Sequence, residues 1–191
     1  FTPETVLFDL PTEFQTTCDW RGRALPGKNQ KDCYMPDNYD GKSRGPISLR
    51  DALGQSINVP AVKLFYLVGL GDALKTAENM GISTLTDTGR YGLTLVIGGG
   101  EVSLLDMTSA YGVFANNGTR NPYTGILNVE DPNGKVLEEF VPNEKDILPK
   151  NTALTISSIL SDNAARTPTF GASSLLNIPG REVAVKTGPT N

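Results

Sequence analysis

The stretch GPISLRDALGQSINVPAVKLFYLVG, residues 45–69, predicts two helices that meet at a short joint. Ser48 has the side chain of a helix N-cap, and Asp51 follows three residues later, close to a capping box. Pro60 suits the first turn of the second helix. Ser56 therefore lies in a tight joint between two helices and not on an exposed helical face.

The rest of the chain divides into segments of clearly different character. Apolar periodicity, turn residues and caps distinguish helices from strands. Helices come first and antiparallel strands afterwards, which predicts an α+β fold in one domain. The predicted segments are a loop-rich part at 1–47, a helical part at 48–118, a hairpin at 124–140, a helix at 151–163 and a strand at 182–188.

Composition excludes several function classes. The 17 basic and 21 acidic residues do not cluster, so we expect no nucleic-acid partner. No apolar run reaches the roughly 18 to 20 residues of a membrane span. The chain has no histidine, which excludes Ser–His–Asp catalysis and most zinc sites, and we expect no metal or cofactor. A general base would have to be Lys, Asp, Glu or Tyr.

Two cysteines, Cys18 and Cys33, flank the polar segment CDWRGRALPGKNQKDC. A disulfide between them would close a loop of about 15 residues and stabilise the fold by roughly 3 kcal/mol. It would also indicate an oxidising, extracytoplasmic location. The alternative is two unrelated thiols in a cytosolic protein, because pairing does not follow from sequence alone.

The first catalytic pattern is Lys186-Thr187-Gly188, at the end of an alternating run. A lysine on a strand beside a cleft attracts a substrate carboxylate and holds neighbouring hydroxyl groups. A glycine two residues later lets a substrate approach the backbone closely. A serine–lysine acyl-transfer site also needs Ser-x-x-Lys, which places the two side chains one helical turn apart. No lysine of this chain has Ser, Thr or Cys three residues before it.

A Ser-x-Asn pattern would complete such a site, and the chain has two candidates. They are Ser56-Ile57-Asn58 and Ser161-Asp162-Asn163. The spelling favours Ser161, since S-D-N accompanies K-T-G in β-lactamases and penicillin-binding proteins. The placement favours Ser56, which lies in a helix joint, whereas Ser161 ends an amphipathic helix.

Together, residues 45–69, YGLTLVIGGGEVSLLDMTSAYGVFANNGTR and VAVKTGPTN resemble the transpeptidase domain of class A penicillin-binding proteins. The resemblance extends over nearly the whole chain, including TPETVLFDLPTEF and NYDGKSRGP. In that family the Ser-x-Asn motif lies in ALxxSxNxPAVKL, which selects Ser56 and Asn58. The implied fold is that of the serine β-lactamases, a helical region packed on an antiparallel sheet, here incomplete at both ends.

The resemblance implies acyl transfer through an acyl-serine. Its donor substrates are peptidoglycan stem peptides ending in D-Ala-D-Ala, and β-lactams acylate the same serine. Cell-wall synthesis proteins are further expected partners. The parent protein would face the extracytoplasmic side, held to the membrane by an N-terminal anchor outside this chain. The implied catalytic residues are Ser56, Asn58 and Lys186, and the implied substrate-binding residues are Thr187, Gly188 and Thr190.

The chain departs from the family pattern in two places. The Ser-x-x-Lys motif is expected upstream of Phe1, and further strands are expected after Asn191, so this chain alone should not be acylated. The family usually has Thr where this chain has Pro189. In the family, the backbone N–H of that Thr helps to form the oxyanion hole and its hydroxyl helps to bind the substrate carboxylate. Proline supplies neither group. Losing one oxyanion-hole donor costs on the order of 3 kcal/mol.

These departures leave two alternatives open. One is a non-catalytic scaffold of the same fold that binds partners. The other is a β-lactamase or D,D-carboxypeptidase, which would need a base to activate water. Glu101 follows three glycines and is the candidate, although an acidic residue there also suits a helix N-terminus.

Overall fold

The computed structural model describes residues 1–188, so Pro189 and Thr190 lie outside the described range. Six α-helices and six strands are assigned within it. The helices are α1 (Leu49–Gly54), α2 (Asn58–Val68), α3 (Leu70–Met80), α4 (Leu104–Ala115), α5 (Lys150–Ser161) and α6 (Asn163–Phe170). The strands are β1 (Val6–Asp9), β2 (Gly45–Ser48), β3 (Thr119–Arg120), β4 (Asn128–Glu130), β5 (Val136–Glu139) and β6 (Lys145–Asp146).

The described chain forms two compact units. The first comprises Phe1–Leu70, Arg90–Gly100 and residues 158–188, and the second comprises Gly71–Gly89 and Glu101–Ser157. Both candidate catalytic segments, the helix joint and residues 182–188, belong to the first unit. No helix of the described residues is both long and apolar enough to cross a membrane.

In the first unit, β1 and β2 pair antiparallel, with Val6 opposite Ser48 and Asp9 opposite Gly45. Strand β2 leads directly into α1, whose first turn is capped by the Ser48 side chain, as predicted. Helix α1 packs closely on α6, because Gly54 has no side chain: a Cβ there would lie 3.2 Å from the Ala165 Cβ.

In the second unit, helix α4 begins at Ser103, whose side chain accepts a hydrogen bond from the Asp106 N–H. The buried Asp106 carboxylate accepts from the backbone and the hydroxyl of Ser83, at 2.9 and 2.7 Å. Strands β4 and β5 pair antiparallel and confirm the predicted hairpin. Strands β3 and β6 form a second short pair.

The loop-rich segment 1–47 also contains β1 and most of β2. Two sequence predictions differ from the structure. The helix predicted at 151–163 ends at Ser161, because the Asp162 side chain caps a new helix, α6. Residues 182–188 are not a strand: they have no neighbouring strand within residues 1–188, and a strand exists only through hydrogen bonds to a partner.

The cysteine pairing is confirmed. Cys18 and Cys33 are joined by a disulfide, with their Cα atoms 5.7 Å apart. It closes a polar loop in the first unit, which includes a 3₁₀ turn at Gln30–Asp32 and is called here the disulfide loop (residues 18–33).

Candidate active site

Ser56 occupies the helix joint in a strained backbone conformation. Its φ is 59°, in the left-handed region that glycine normally fills. The Ile57 N–H donates to the Ala52 carbonyl at 2.9 Å, and the Ser56 N–H donates to the Leu53 carbonyl at 3.2 Å. These two bonds are a Schellman motif, with Ser56 at the position where glycine is most common. Strain retained at such a position is a frequent property of functional sites.

The joint is held by apolar contacts beneath it. Ile57 and Ala52 are buried and form one cluster with Ile47 of β2. A Schellman motif is usually accompanied by a hydrophobic contact of this kind. The Ser56 side chain is thereby fixed by the core and left half-buried at the surface of the unit.

The two catalytic candidates that lie farthest apart in sequence meet in space. The Lys186 ammonium donates a hydrogen bond of 2.8 Å to the Ser56 hydroxyl oxygen, across 130 residues of chain. The same ammonium donates to the Thr187 carbonyl, also at 2.8 Å. Among the described residues, Lys186 forms no salt bridge. Its charge is therefore satisfied by two neutral oxygens.

Burial lowers the pKa of Lys186 below its usual 10.5, because desolvation disfavours the charged ammonium. A lysine with a lowered pKa gives up its proton more readily than an exposed lysine does. Since the ammonium donates to Ser56 Oγ, the Ser56 hydroxyl hydrogen is free to point toward a third group. The pair has the geometry of a two-step proton relay.

Residues 181–188 are held against the end of α5. The Val185 N–H donates to the Leu160 carbonyl at 2.9 Å. That carbonyl also accepts from the guanidinium of Arg166, at 2.6 Å. Arg166 is only 4% exposed and donates further to the Leu176 and Asp162 carbonyls. This buried arginine, which the sequence gives no reason to single out, thus fixes the carbonyl to which the Lys186 segment is attached.

Asn58 begins α2 but does not contact the lysine–serine pair through a hydrogen bond among residues 1–188. Its side-chain amide donates to the Asp37 carbonyl at 3.0 Å. Its side-chain oxygen carries no hydrogen bond from the described chain. The predicted role of Asn58 in holding a substrate backbone therefore stays a prediction.

A network centred on Asn38 supports the start of α2. The Asn38 side-chain oxygen accepts from the Val59 N–H at 3.0 Å, and so caps a helix whose own N-cap, Ile57, has no side-chain hydrogen bond. The Asn38 amide donates to both carboxylate oxygens of Asp9, at 2.8 and 2.9 Å. Asp9 is fully buried and also accepts from the Arg44 N–H. Sequence reasoning missed this network, since its hydrogen bonds join residues that are 21 to 35 positions apart.

The predicted substrate-binding residues are partly described. Thr187 lies next to the lysine, and its side chain forms no hydrogen bond within residues 1–188. At Gly188, a built Cβ would meet nothing within 4 Å, so space is open beside the backbone, as expected for a ligand that approaches it. Thr190, like the unusual Pro189, lies outside the described residues.

The competing Ser-x-Asn motif has a structural explanation. The Ser161 hydroxyl donates back to the Ser158 carbonyl at the end of α5. Asp162 caps α6 and pairs with Arg50 at 3.3 Å, and the Asn163 amide donates to the Ala172 carbonyl. Each side chain is engaged in ending one helix or beginning the next, whereas Ser56 contacts Lys186.

A family model for the penicillin-binding protein transpeptidase domain matches residues 15–191. The chain belongs to the penicillin-binding protein transpeptidase family. This confirms the resemblance that residues 45–69 and the Lys-Thr-Gly segment indicate.

Two curated relatives of the family are similar over most of this chain. Penicillin-binding protein 1A/1B of Bacillus subtilis is 38% identical over 156 residues, which are 81% of this chain and 16% of that protein. Penicillin-binding protein 1A of Aquifex aeolicus is 34% identical over 176 residues, which are 92% of this chain and 23% of that protein. The chain thus spans less than a quarter of the length of these relatives.

Solved structures confirm the predicted fold class. Penicillin-binding protein 1A of Haemophilus influenzae superposes with a TM-score of 0.69 at 23% identity, over 86% of this chain and 27% of that one. An imipenem acyl-enzyme complex of penicillin-binding protein A from Mycobacterium tuberculosis gives 0.69 at 19% identity, over 98% of this chain and 44% of that one. At these identities the likeness shows the transpeptidase-type α+β fold and does not by itself assign residues.

Proposed function

We propose that this chain supplies Ser56, Asn58 and Lys186 to the active site of a serine D,D-transpeptidase that joins peptidoglycan stem peptides. The observation that supports it most directly is the 2.8 Å hydrogen bond from Lys186 to Ser56. Membership of the transpeptidase family supports the reaction class. β-Lactams would be pseudo-substrates of the same site, and the reaction would take place outside the cytoplasm, where the disulfide is stable.

In the proposed acylation step, a serine outside these 191 residues gives its hydroxyl proton to a neighbouring base, and its oxygen forms a bond to the carbonyl carbon of the penultimate D-Ala. The C–N bond to the terminal D-Ala breaks, and the leaving amine takes the Ser56 hydroxyl proton. Lys186 returns a proton to Ser56 through their hydrogen bond. In the second half-reaction the acceptor nitrogen forms a bond to the acyl carbon, and its proton passes through Ser56 to Lys186. The acyl–oxygen bond breaks and the base returns its proton to the serine oxygen, so that every group ends unchanged.

The Lys186 ammonium has a second role in this proposal. As a half-buried cation beside the open backbone at Gly188, it attracts the terminal carboxylate of the donor peptide. Thr187 and Thr190 are proposed to bind the same carboxylate, and Asn58 is proposed to bind the peptide backbone. The cell-wall polymer, β-lactams and other cell-wall synthesis proteins are the proposed partners.

The test is acylation by a fluorescent penicillin on the longest native protein that contains this chain. We expect Ser56→Ala to slow labelling at least a hundredfold, because general acid–base catalysis contributes about 10²–10⁴-fold. Ser161→Ala is the matched control, since that serine belongs to the competing motif, and it should label at the wild-type rate. Lys186→Gln should behave like Ser56→Ala.

Three outcomes would contradict the proposal. Equal labelling of the Ser56→Ala and Ser161→Ala proteins would remove Ser56 from the site. A folded native protein that no β-lactam labels would instead support the non-catalytic scaffold. Release of free D-Ala without cross-linked product would assign the site to a carboxypeptidase.

A further inference from the structure

We propose that the disulfide loop is a binding surface for an acidic glycan polymer, with Trp20 as the platform for a sugar ring. Trp20 is the single tryptophan of the chain and is 74% exposed. Tryptophan has a large apolar ring with a polar edge, and here a covalently closed loop presents that ring to solvent. This surface is separate from the lysine–serine pair, and the inference does not depend on the proposed reaction.

Internal hydrogen bonds give the loop a fixed shape. One Asp19 carboxylate oxygen accepts from the backbone N–H groups of Arg21 and Arg23, at 2.9 and 3.0 Å. The Gln30 side chain accepts from the Ala24 N–H and donates to the Gly22 carbonyl. Together with the disulfide, these bonds hold Trp20 outward before any ligand arrives, which reduces the entropy lost on binding.

The indole ring of Trp20 has one face covered and one face available. The Arg21 guanidinium carbon lies 4.4 Å from the ring centroid, a cation–π arrangement that orients the ring. The other face can stack on a flat apolar surface. The C–H face of a hexose ring has that shape, while Arg21 adds positive charge on the opposite side of the indole.

The charge of the loop is opposite to that of the chain. Residues 18–33 contain four basic and two acidic residues, whereas the whole chain has a net charge of −4. Arg23 pairs with Asp19, but Arg21, Lys28 and Lys31 form no salt bridge with any described residue. These cations are spread along the sequence, and the Cys18–Cys33 bond brings the two ends of their segment together. The loop therefore provides a docking face for a polyanion, and the sequence did not indicate such a face.

The small size of the loop favours a repeating polymer as its partner over a folded protein or a membrane. A stable protein interface buries about 800 Å² on each side, more than one loop with a single exposed aromatic ring offers. Insertion into a membrane requires a larger apolar surface than Trp20 and Leu25 together provide. A polymer that repeats the same weak ligand many times gains affinity through multivalency, and so suits a small surface.

The test uses three polymers and the fluorescence of Trp20, which reports only on this loop because the chain has no other tryptophan. Polygalacturonate carries a carboxylate on every hexose ring. Its methyl ester has the rings without the charge, and polyglutamate has the charge without the rings. We expect polygalacturonate to change the emission of Trp20 in the full 191-residue chain and to bind at least tenfold more tightly than either comparator.

Variants measured by calorimetry assign the interaction to the loop. Trp20→Ala, and separately the triple variant Arg21→Gln, Lys28→Gln, Lys31→Gln, should each weaken polygalacturonate binding at least tenfold. The triple variant should also lose most of the salt dependence. Lys42→Gln, Lys135→Gln and Lys145→Gln form the control, since they remove three positive charges outside the loop and should leave the affinity unchanged.

The proposal is overturned if polyglutamate binds as tightly as polygalacturonate, because the sugar ring would then contribute nothing. Tighter binding to phosphatidylglycerol vesicles than to polygalacturonate would assign the loop to a lipid surface instead. An unchanged affinity in the Trp20→Ala protein would also overturn it. Penicillin labelling of the native protein should be unaffected by all of these loop variants. The outcome of this test therefore does not depend on the outcome of the active-site test.

Discussion

Lys186 and Ser56 are 130 residues apart in the chain and are joined by a 2.8 Å hydrogen bond. A different structural feature brings each residue to that contact. A Schellman motif turns Ser56 out of the end of α1, and a backbone hydrogen bond to Leu160 attaches the Lys186 segment to the end of α5. The contact therefore depends on the ends of two helices and does not require a strand at residues 182–188.

The left-handed conformation of Ser56 predicts a conflict between stability and function. Ser56→Gly and Ser56→Ala both remove the hydroxyl, but only glycine adopts a φ of 59° without strain. We expect the glycine variant to be more stable than the alanine variant by about 1 kcal/mol. Urea unfolding of the two proteins measures the difference, and both should be equally slow in penicillin labelling. Equal stability would mean that the backbone at this position relaxes.

The lowered pKa of Lys186 predicts a pH-dependent stability difference. Burial disfavours its charged form in the folded state, so the unfolded chain binds more protons, and stability rises with pH between the lowered folded pKa and the usual 10.5. The stability of wild type relative to Lys186→Met should therefore increase as pH rises through that window. Urea unfolding of both proteins from pH 7 upward tests this, since other titrating groups cancel in the difference.

Lys135→Met, in the exposed hairpin turn, is the matched control for loss of one lysine. The prediction would be contradicted if the stability of wild type relative to Lys186→Met fell as pH rises. That result would mean that the folded state favours the charged lysine.

Local sequence signals explain which parts of the fold were predictable. Ser48 was recognised as a helix cap because capping involves residues within one turn, and its side chain caps α1 as expected. Turn residues likewise located the hairpin at 124–140. The prediction of Ser56 as the partner of Lys186 needed more, since periodicity located the helix joint and only the family resemblance connected it with the Lys-Thr-Gly segment.

Features that depend on distant partners were not predictable. Strand β1 lies in a segment that was predicted only to be loop-rich, because its pairing with β2 joins Val6 to Ser48 across a polar, irregular segment. Residues 182–188 were predicted as a strand from alternation alone, which describes how side chains are arranged but does not supply a neighbouring strand. Arg166 was missed because its donation to the Leu160 carbonyl is evident only once α5 and α6 have packed together.

The disulfide predicts a stability difference that depends on redox conditions. The Cys18–Cys33 bond closes a loop across a sequence separation of 15 residues, which in the chain-entropy model stabilises by about 3 kcal/mol. The Cys18→Ser, Cys33→Ser double variant should lose about that much in urea unfolding. Reductant should lower the stability of wild type to that of the variant and leave the variant unchanged. A wild type insensitive to reductant would show that the loop keeps its structure without the bond.

The buried Asn38–Asp9 pair predicts a strong and pH-dependent effect of a nearly isosteric change. Asn38→Asp replaces the amide that donates to both oxygens of the fully buried Asp9 with a second acidic group. At neutral pH we expect a loss of about 3 kcal/mol or more in the free energy of unfolding, because a buried charge loses its partner. The folded variant should retain a proton between the two carboxyl groups that its unfolded chain releases. Stability should then decrease as pH rises, so the loss should be smaller at pH 5 than at pH 7.5.

Urea unfolding at the two pH values measures this effect, and Asn143→Asp, at an exposed loop position, is the matched control. Because a carboxyl oxygen at position 38 can still accept from the Val59 N–H and cap α2, the variant should label with penicillin at close to the wild-type rate at pH 5, where it regains stability. The Asn143→Asp protein should match wild type in both measurements. If the Asn38→Asp variant is as stable as wild type at pH 7.5, water reaches Asp9. The Asn38 network would then not be needed to hold the start of α2.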